Sequence, residues 1–141
     1  MRILVVDDET FLAELVKLAL EADGHVCFAA GSIADAAEVV RRVRVDLVAL
    51  DLLEGGTDPV GWIEDIVLEF PDLHGRIVVL TGRALQDPER FRMAGCGATV
   101  MPKPFTLHAL RNLVTRLGNP ATAADGSHPD RRDERPLAED S

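Results

Sequence analysis

The chain has 141 residues, 47% of them hydrophobic, and a net charge of −9, enough for one domain with a real core and some tail besides. The acidic balance, without a Lys/Arg-rich stripe, argues against nucleic acid as a partner, because such a surface repels phosphates. No uncharged apolar run approaches the ~20 residues of a membrane span, and Met1-Arg2 leads straight into a strand-like run without signal-peptide features, so a cytoplasmic protein with no membrane partner is expected.

Ile3 to Val6 reads as a short buried strand that runs into Asp7-Asp8-Glu9. Thr10 to Ala22 carries helical spacing through Phe11, Leu15, Leu18 and Ala19, and Gly24 breaks that helix. His25 to Ala30 reads as a strand, and Ser32 caps a helix to about Val43. Leu47 to Leu50 is a third apolar strand, ending at Asp51. After the loop Glu54-Gly55-Gly56-Thr57, Asp58-Pro59 gives a cap followed by proline at the first helical position, opening a helix to Phe70. Ile77 to Leu80 is a strand ending at Thr81-Gly82, and Asp87-Pro88 repeats the cap signal for a short helix to about Met93. Ala98 to Met101 is the last strand and Thr106 to Leu117 the last helix.

From Gly118 the composition shifts to Pro, Gly, Ala and mixed charge, with Leu137 as the sole large apolar residue. Such a segment cannot bury enough surface to offset its ordering entropy. The expected division is a folded domain over 1–117 and a disordered acidic tail over 118–141. Cys27 and Cys96 form no paired motif and read as buried small hydrophobes. The four histidines lack metal-ligand spacing, and Arg41, Arg42 and Arg44 read as a solvated helix end.

Five apolar strands alternating with five amphipathic helices predict a three-layer α/β domain with a parallel sheet covered on both faces. The span is too short for a six-stranded dinucleotide fold, and a five-stranded flavodoxin-like sheet of order 2-1-3-4-5 fits it. In that order the ligand crevice lies outside the carboxyl ends of the first and third strands. Asp7, Asp8 and Asp51 converge there, with Thr81 and Lys103 ending the fourth and fifth strands on the same edge. Singly, each has a plainer use, as a cap, a loop stabiliser, a turn residue or a solvated lysine. Together they point to chemistry: clustered carboxylates repel and need a cation. Oxygen donors without thiolate or imidazole suit a hard divalent ion, Mg²⁺ above others. A metal-bound carboxylate beside a lysine and a hydroxyl meets the needs of phosphoryl transfer.

The motifs "VVDDE", "LVALDLL", "VVLTG" and "MPKPF", in this order, resemble the response-regulator receiver domain of two-component signalling, from Met1 to about Leu117. The resemblance implies that Asp51 is the phosphoacceptor. It implies that Asp8, Asp51 and the backbone carbonyl of Leu53 bind Mg²⁺ directly, with Asp7 acting through a metal-bound water. Thr81 then hydrogen-bonds the phosphoryl group on activation, Lys103 contacts it, and the Lys103-Pro104 peptide is cis. The input partner is a histidine kinase or histidine phosphotransfer protein docking near the first helix, at Phe11, Leu12 and Leu15. The downstream protein target is unknown. Such a stand-alone regulator is not an enzyme beyond its own aspartyl phosphorylation and dephosphorylation.

Departures from the family pattern are visible. Gly55 stands where the family has proline, and Gly61 comes two residues late. Val100 replaces the aromatic that swings inward on activation, in a chain without tyrosine. Leu53 and Arg83, at positions that tune hydrolysis, lead to the expectation of a long-lived phosphorylated state. Two other readings compete. A phosphatase with an aspartate nucleophile, as in the haloacid dehalogenase family, needs an acid where Leu53 stands. A pseudo-receiver that binds partners without phosphate is supported by the missing aromatic.

Overall fold

The computed structural model describes residues 1–51, 58–82 and 85–118. Leu53, Arg83, Gly55 and the segment 119–141 lie outside them, so the expectations placed on those positions do too. The elements are β1 (Arg2–Val6), α1 (Thr10–Glu21), β2 (Val26–Ala30), α2 (Ile33–Arg42), β3 (Leu47–Asp51), α3 (Pro59–Glu69), a 3₁₀ turn (Pro71–Leu73), β4 (Ile77–Thr81), α4 (Asp87–Gly95), β5 (Thr99–Pro102) and α5 (Leu107–Gly118).

The five strands are parallel and ordered β2-β1-β3-β4-β5, the predicted arrangement. Every residue of β3 and β4 is buried, because helices cover both faces of the sheet. Side-chain alternation along the strands therefore builds two cores. Leu4, Val6, Val48, Leu50 and Val79 meet Ile63 of α3 and Met93 of α4 on one face. Ile3, Val5 and Val78 meet Val16 and Leu20 of α1 and Leu110 of α5 on the other. Each such aliphatic side chain contributes about 1.5–3 kcal/mol when fully buried.

Helix starts follow from short side chains that satisfy free backbone donors. The Ser32 hydroxyl accepts the Asp35 N–H at 3.1 Å, and the Asp58 carboxylate accepts the Gly61 N–H at 3.0 Å. At α4 the prediction needs correcting: Gln86, not Asp87, occupies the cap position, and the Glu89 carboxylate accepts its N–H at 3.4 Å. The helix also runs two residues past Met93, to Gly95. The buried face of α1 is Ala13, Val16 and Leu20, and Phe11, Leu15 and Leu18, which carry the helical spacing, are exposed, Phe11 at 77%.

Arg41 and Arg42 pair with Glu38, and Arg44 with Asp46, as expected of a solvated helix end. Both cysteines are buried and free, and burial pushes the Cys27 thiol up to about 11. Arg111 of α5 holds Asp23, in the turn after α1, through contacts of 2.9 and 2.5 Å. That hydrogen-bonded pairing lowers the Asp23 carboxyl. At the other end of α5, a Cβ added to Gly118 would lie 2.7 Å from Met1 Cε.

Gly97, between α4 and β5, has φ +71°, and a Cβ there would sit 2.8 Å from the Gly75 nitrogen. The left-handed backbone alone disfavours an L side chain by roughly 1–2 kcal/mol. Gly97→Ala is expected to lower the unfolding free energy by at least about that amount, read from the midpoint of a urea transition. An unchanged midpoint would contradict this backbone geometry.

Candidate functional site

Among the described residues, the buried polar side chains are Asp7, Asp51 and Thr81, and strand register brings all three to one edge of the sheet. Val6 lies beside Leu50 in the β1–β3 pairing, so Asp7 and Asp51, one residue on, are neighbours. Leu80 lies beside Asp51, which places Thr81 a step beyond it. Thr81 lies beside Pro102, and Lys103 follows. Its N–H donates to the Thr81 carbonyl at 2.7 Å, fixing the chain as it leaves β5. The Lys103–Pro104 peptide is cis.

Lys103 reaches across the strand ends, and its ammonium donates to Asp51 Oδ2. Partial burial pulls the Lys103 ammonium down, but the hydrogen bond and charge of Asp51, and then the charge of Asp7, outweigh it and raise the group. The Asp7 carboxyl is raised, first by burial, with the Asp51 charge adding to it and the Glu9 N–H and Lys103 opposing. Buried carboxylates side by side are costly unless a cation compensates them, and Lys103 supplies part of that charge.

The two adjacent aspartates separate sharply. Asp7 points into the site, and its Oδ1 accepts the Glu9 N–H at 2.9 Å. Asp8 sits on an exposed bend. Helix α1 begins after Glu9 without a side-chain cap, so neither aspartate serves as its cap residue. The backbone contact from Glu9 is a component the sequence reading missed. Its signal is the local Asx turn, in which an aspartate accepts the N–H two residues on.

Among the described residues no group of three acidic, His or Cys side chains is arranged to hold a metal ion. The donor chemistry nevertheless fits a hard divalent cation: Asp7, Asp8 and Asp51 offer oxygen alone. No helix among the described residues is long and apolar enough to cross a membrane.

Comparison with known proteins agrees with this geometry. The family described as "Response regulator receiver domain" matches residues 3–115. Response regulator MprA of Mycobacterium leprae is 34% identical over 113 residues, covering 78% of this chain and 47% of MprA. The phosphate regulon transcriptional regulatory protein PhoB of Pseudomonas aeruginosa is 29% identical over 115 residues, covering 82% of this chain and 49% of PhoB. The chain thus spans about half the length of these curated relatives. The non-phosphorylated receiver domain of HemR from Leptospira biflexa, 34% identical, superposes with a TM-score of 0.72 over 82% of this chain and 92% of that one. Strand order, buried acids and sequence likeness therefore lead to one statement: this chain belongs to the response-regulator receiver domain family of two-component systems.

Proposed function

We propose that the chain is a cytoplasmic response-regulator receiver that accepts a phosphoryl group on Asp51 and signals through protein contacts. The observation that carries this reading is that the buried polar side chains among the described residues, Asp7, Asp51 and Thr81, gather at one strand edge. The donor is a histidine kinase or histidine phosphotransfer protein. It docks on α1, where Phe11 and Leu15 are exposed and Leu12 is half-buried.

In the transfer, an Asp51 carboxylate oxygen forms the new bond to phosphorus as the bond to the donor atom breaks, in line. The Lys103 ammonium, already on Asp51, neutralises charge on the phosphoryl oxygens. The Thr81 hydroxyl accepts a place beside the new anion and donates to it, so modification at β3 is felt at β4. Asp7, Asp8, Asp51 and the Leu53 carbonyl would hold Mg²⁺, which supplies positive charge that stabilises the transferring group. Beyond its own aspartyl phosphorylation and dephosphorylation the chain has no catalytic activity in this reading.

The test is intact-mass spectrometry after incubation with acetyl phosphate, with and without Mg²⁺. A single phosphoryl adduct that requires Mg²⁺ is expected. Absence of both the adduct and Mg²⁺ binding would favour the pseudo-receiver.

A further inference from the structure

At the edge of the sheet opposite Asp51, where the strands begin, lies an open cavity of about 1040 Å³. This is at the upper end of the roughly 300–1,000 Å³ typical of ligand sites. It is lined by the end of α2 and the chain entering β3, by the end of α3 and the 3₁₀ turn, and by Arg76 just before β4. Val40 and Leu73, both buried, and the half-buried Val45 and Phe70 give it an apolar floor. None of its residues belongs to the strand-end site.

Arg41, Arg42, Arg44 and Arg76 line it, against the acids Asp46, Glu69 and Asp72. In a chain of net charge −9 such a gathering of cations stands out, and at physiological salt charges more than about 8 Å away are largely screened from it. Arg41 and Arg42 share Glu38 at 2.8 and 3.0 Å, and Arg44 meets Asp46 at 3.3 Å. These three arginines are at least 60% exposed, so their pairs are weak and exchange readily for a stronger anion. Arg76 differs, being half-buried and without a carboxylate partner among the described residues. Its N–H donates to the Leu73 carbonyl at 2.9 Å, and its carbonyl accepts the Val48 N–H at 3.0 Å. The backbone is thus fixed, while the guanidinium meets Met1 Sδ at 4.0 Å, a weak acceptor.

We propose that this cavity binds a guanosine di- or triphosphate, its phosphates on the arginines and its base over the apolar floor. Planar guanidinium groups hold phosphate oxygens in bidentate pairs, and several of them in one cavity suit more than one phosphate. The acids along the same walls repel a bare polyanion, so the ligand carries hydrogen-bond donors at its other end. Guanine presents two neighbouring N–H donors on one edge, a match for the carboxylates of Glu69 and Asp72, which can only accept. Its flat ring covers the apolar floor with a large contact area. Because the cavity shares no residue with the strand-end carboxylates, this inference stands apart from the phosphoacceptor reading.

The test titrates the isotope-labelled full chain, unphosphorylated and without Mg²⁺, with guanosine diphosphate, and separately with guanosine, pyrophosphate and adenosine diphosphate. Guanosine diphosphate is expected to shift the amide signals of Val45, His74 and Arg76 saturably. It should bind at least about tenfold tighter than guanosine or pyrophosphate, and at least about threefold tighter than adenosine diphosphate, whose base offers one amine on that edge. Arg42→Gln, at a position 77% exposed, and Arg76→Gln should each weaken guanosine diphosphate at least about fivefold. Pyrophosphate or adenosine diphosphate binding as tightly as guanosine diphosphate overturns the proposal. So do shifts that map to the Asp51 edge, or no saturation by about 5 mM. Arg42 lies on the surface of α2, so its variant and the mapping on the parent chain decide the matter even if Arg76→Gln folds poorly. Because this titration needs neither phosphorylation nor Mg²⁺, its failure is distinct from failure of the acetyl phosphate test.

Discussion

Asp51→Asn abolishes the phosphoryl adduct: in the acetyl phosphate experiment the variant's intact mass is expected to stay unchanged at every Mg²⁺ concentration. The carboxamide keeps the size and shape of the side chain but offers no anionic oxygen to attack phosphorus. Its effect on stability is small by comparison, because two terms oppose each other. The ion pair with Lys103 is lost, at a position where the lysine side chain is 29% exposed. The repulsion between Asp51 and the buried Asp7 is lost as well, which favours the folded state. With solvent screening of the pair, the net change should stay within about 1 kcal/mol. Loss of chemistry with a nearly unchanged urea midpoint therefore separates a missing nucleophile from a misfolded protein. An adduct that persists in the variant would move the phosphoacceptor elsewhere.

The largest expected loss of stability comes from Leu50→Ala. Leu50 is 0% exposed and stands in β3, the middle strand, beside Val6 on one side and Val79 on the other. Truncating it removes buried methyl groups and leaves a cavity between β3 and α3, at a cost of about 2–5 kcal/mol. That is a large share of the roughly 5–15 kcal/mol that holds a domain folded. The matched control is Leu68→Ala on α3, a leucine that is 81% exposed and whose truncation should cost less than about 0.5 kcal/mol. Urea transitions of the two variants check the difference. Similar midpoints would mean that the β3–α3 contact contributes little.

The strands were legible because both faces of the sheet are covered, so each strand is an apolar run that ends abruptly at a polar residue. Ser32 and Asp58 were legible as caps for the same local reason, a short acceptor placed before a helical pattern. The two acids, the threonine and the lysine became a site once strand order was known, since parallel strands put all their last residues on one edge. What periodicity could not decide was the face of α1. Phe11, Leu15 and Leu18 recur at helical spacing, but so do Ala13, Val16 and Leu20, and the helix is apolar on both sides. The second set lies inward, with the compact Ala13 among it, leaving the bulkier side chains outward.

The division of labour between Asp7 and Asp8 was equally hidden. Adjacent residues leave a strand in opposite directions, and which of the two turns inward depends on the pairing of β1 with β3. The pairing of Lys103 with Asp51 joins residues 52 positions apart, a separation no local pattern encodes. The Gln86 cap was missed because an aspartate before a proline is the stronger cue.

The contact between Gly118 and Met1 makes the described fold a nearly closed loop of chain. Both of its ends emerge where the strands begin, while the acids sit where the strands finish, five residues of β3 away, a distance of about 17 Å. A fluorescent protein or a second domain joined directly at Met1 or Gly118 would begin about one strand's length from the acids. It would also have no direct view of the event it is meant to report. Whatever such an attachment senses must first be translated into a displacement of the helices along the flank of the sheet.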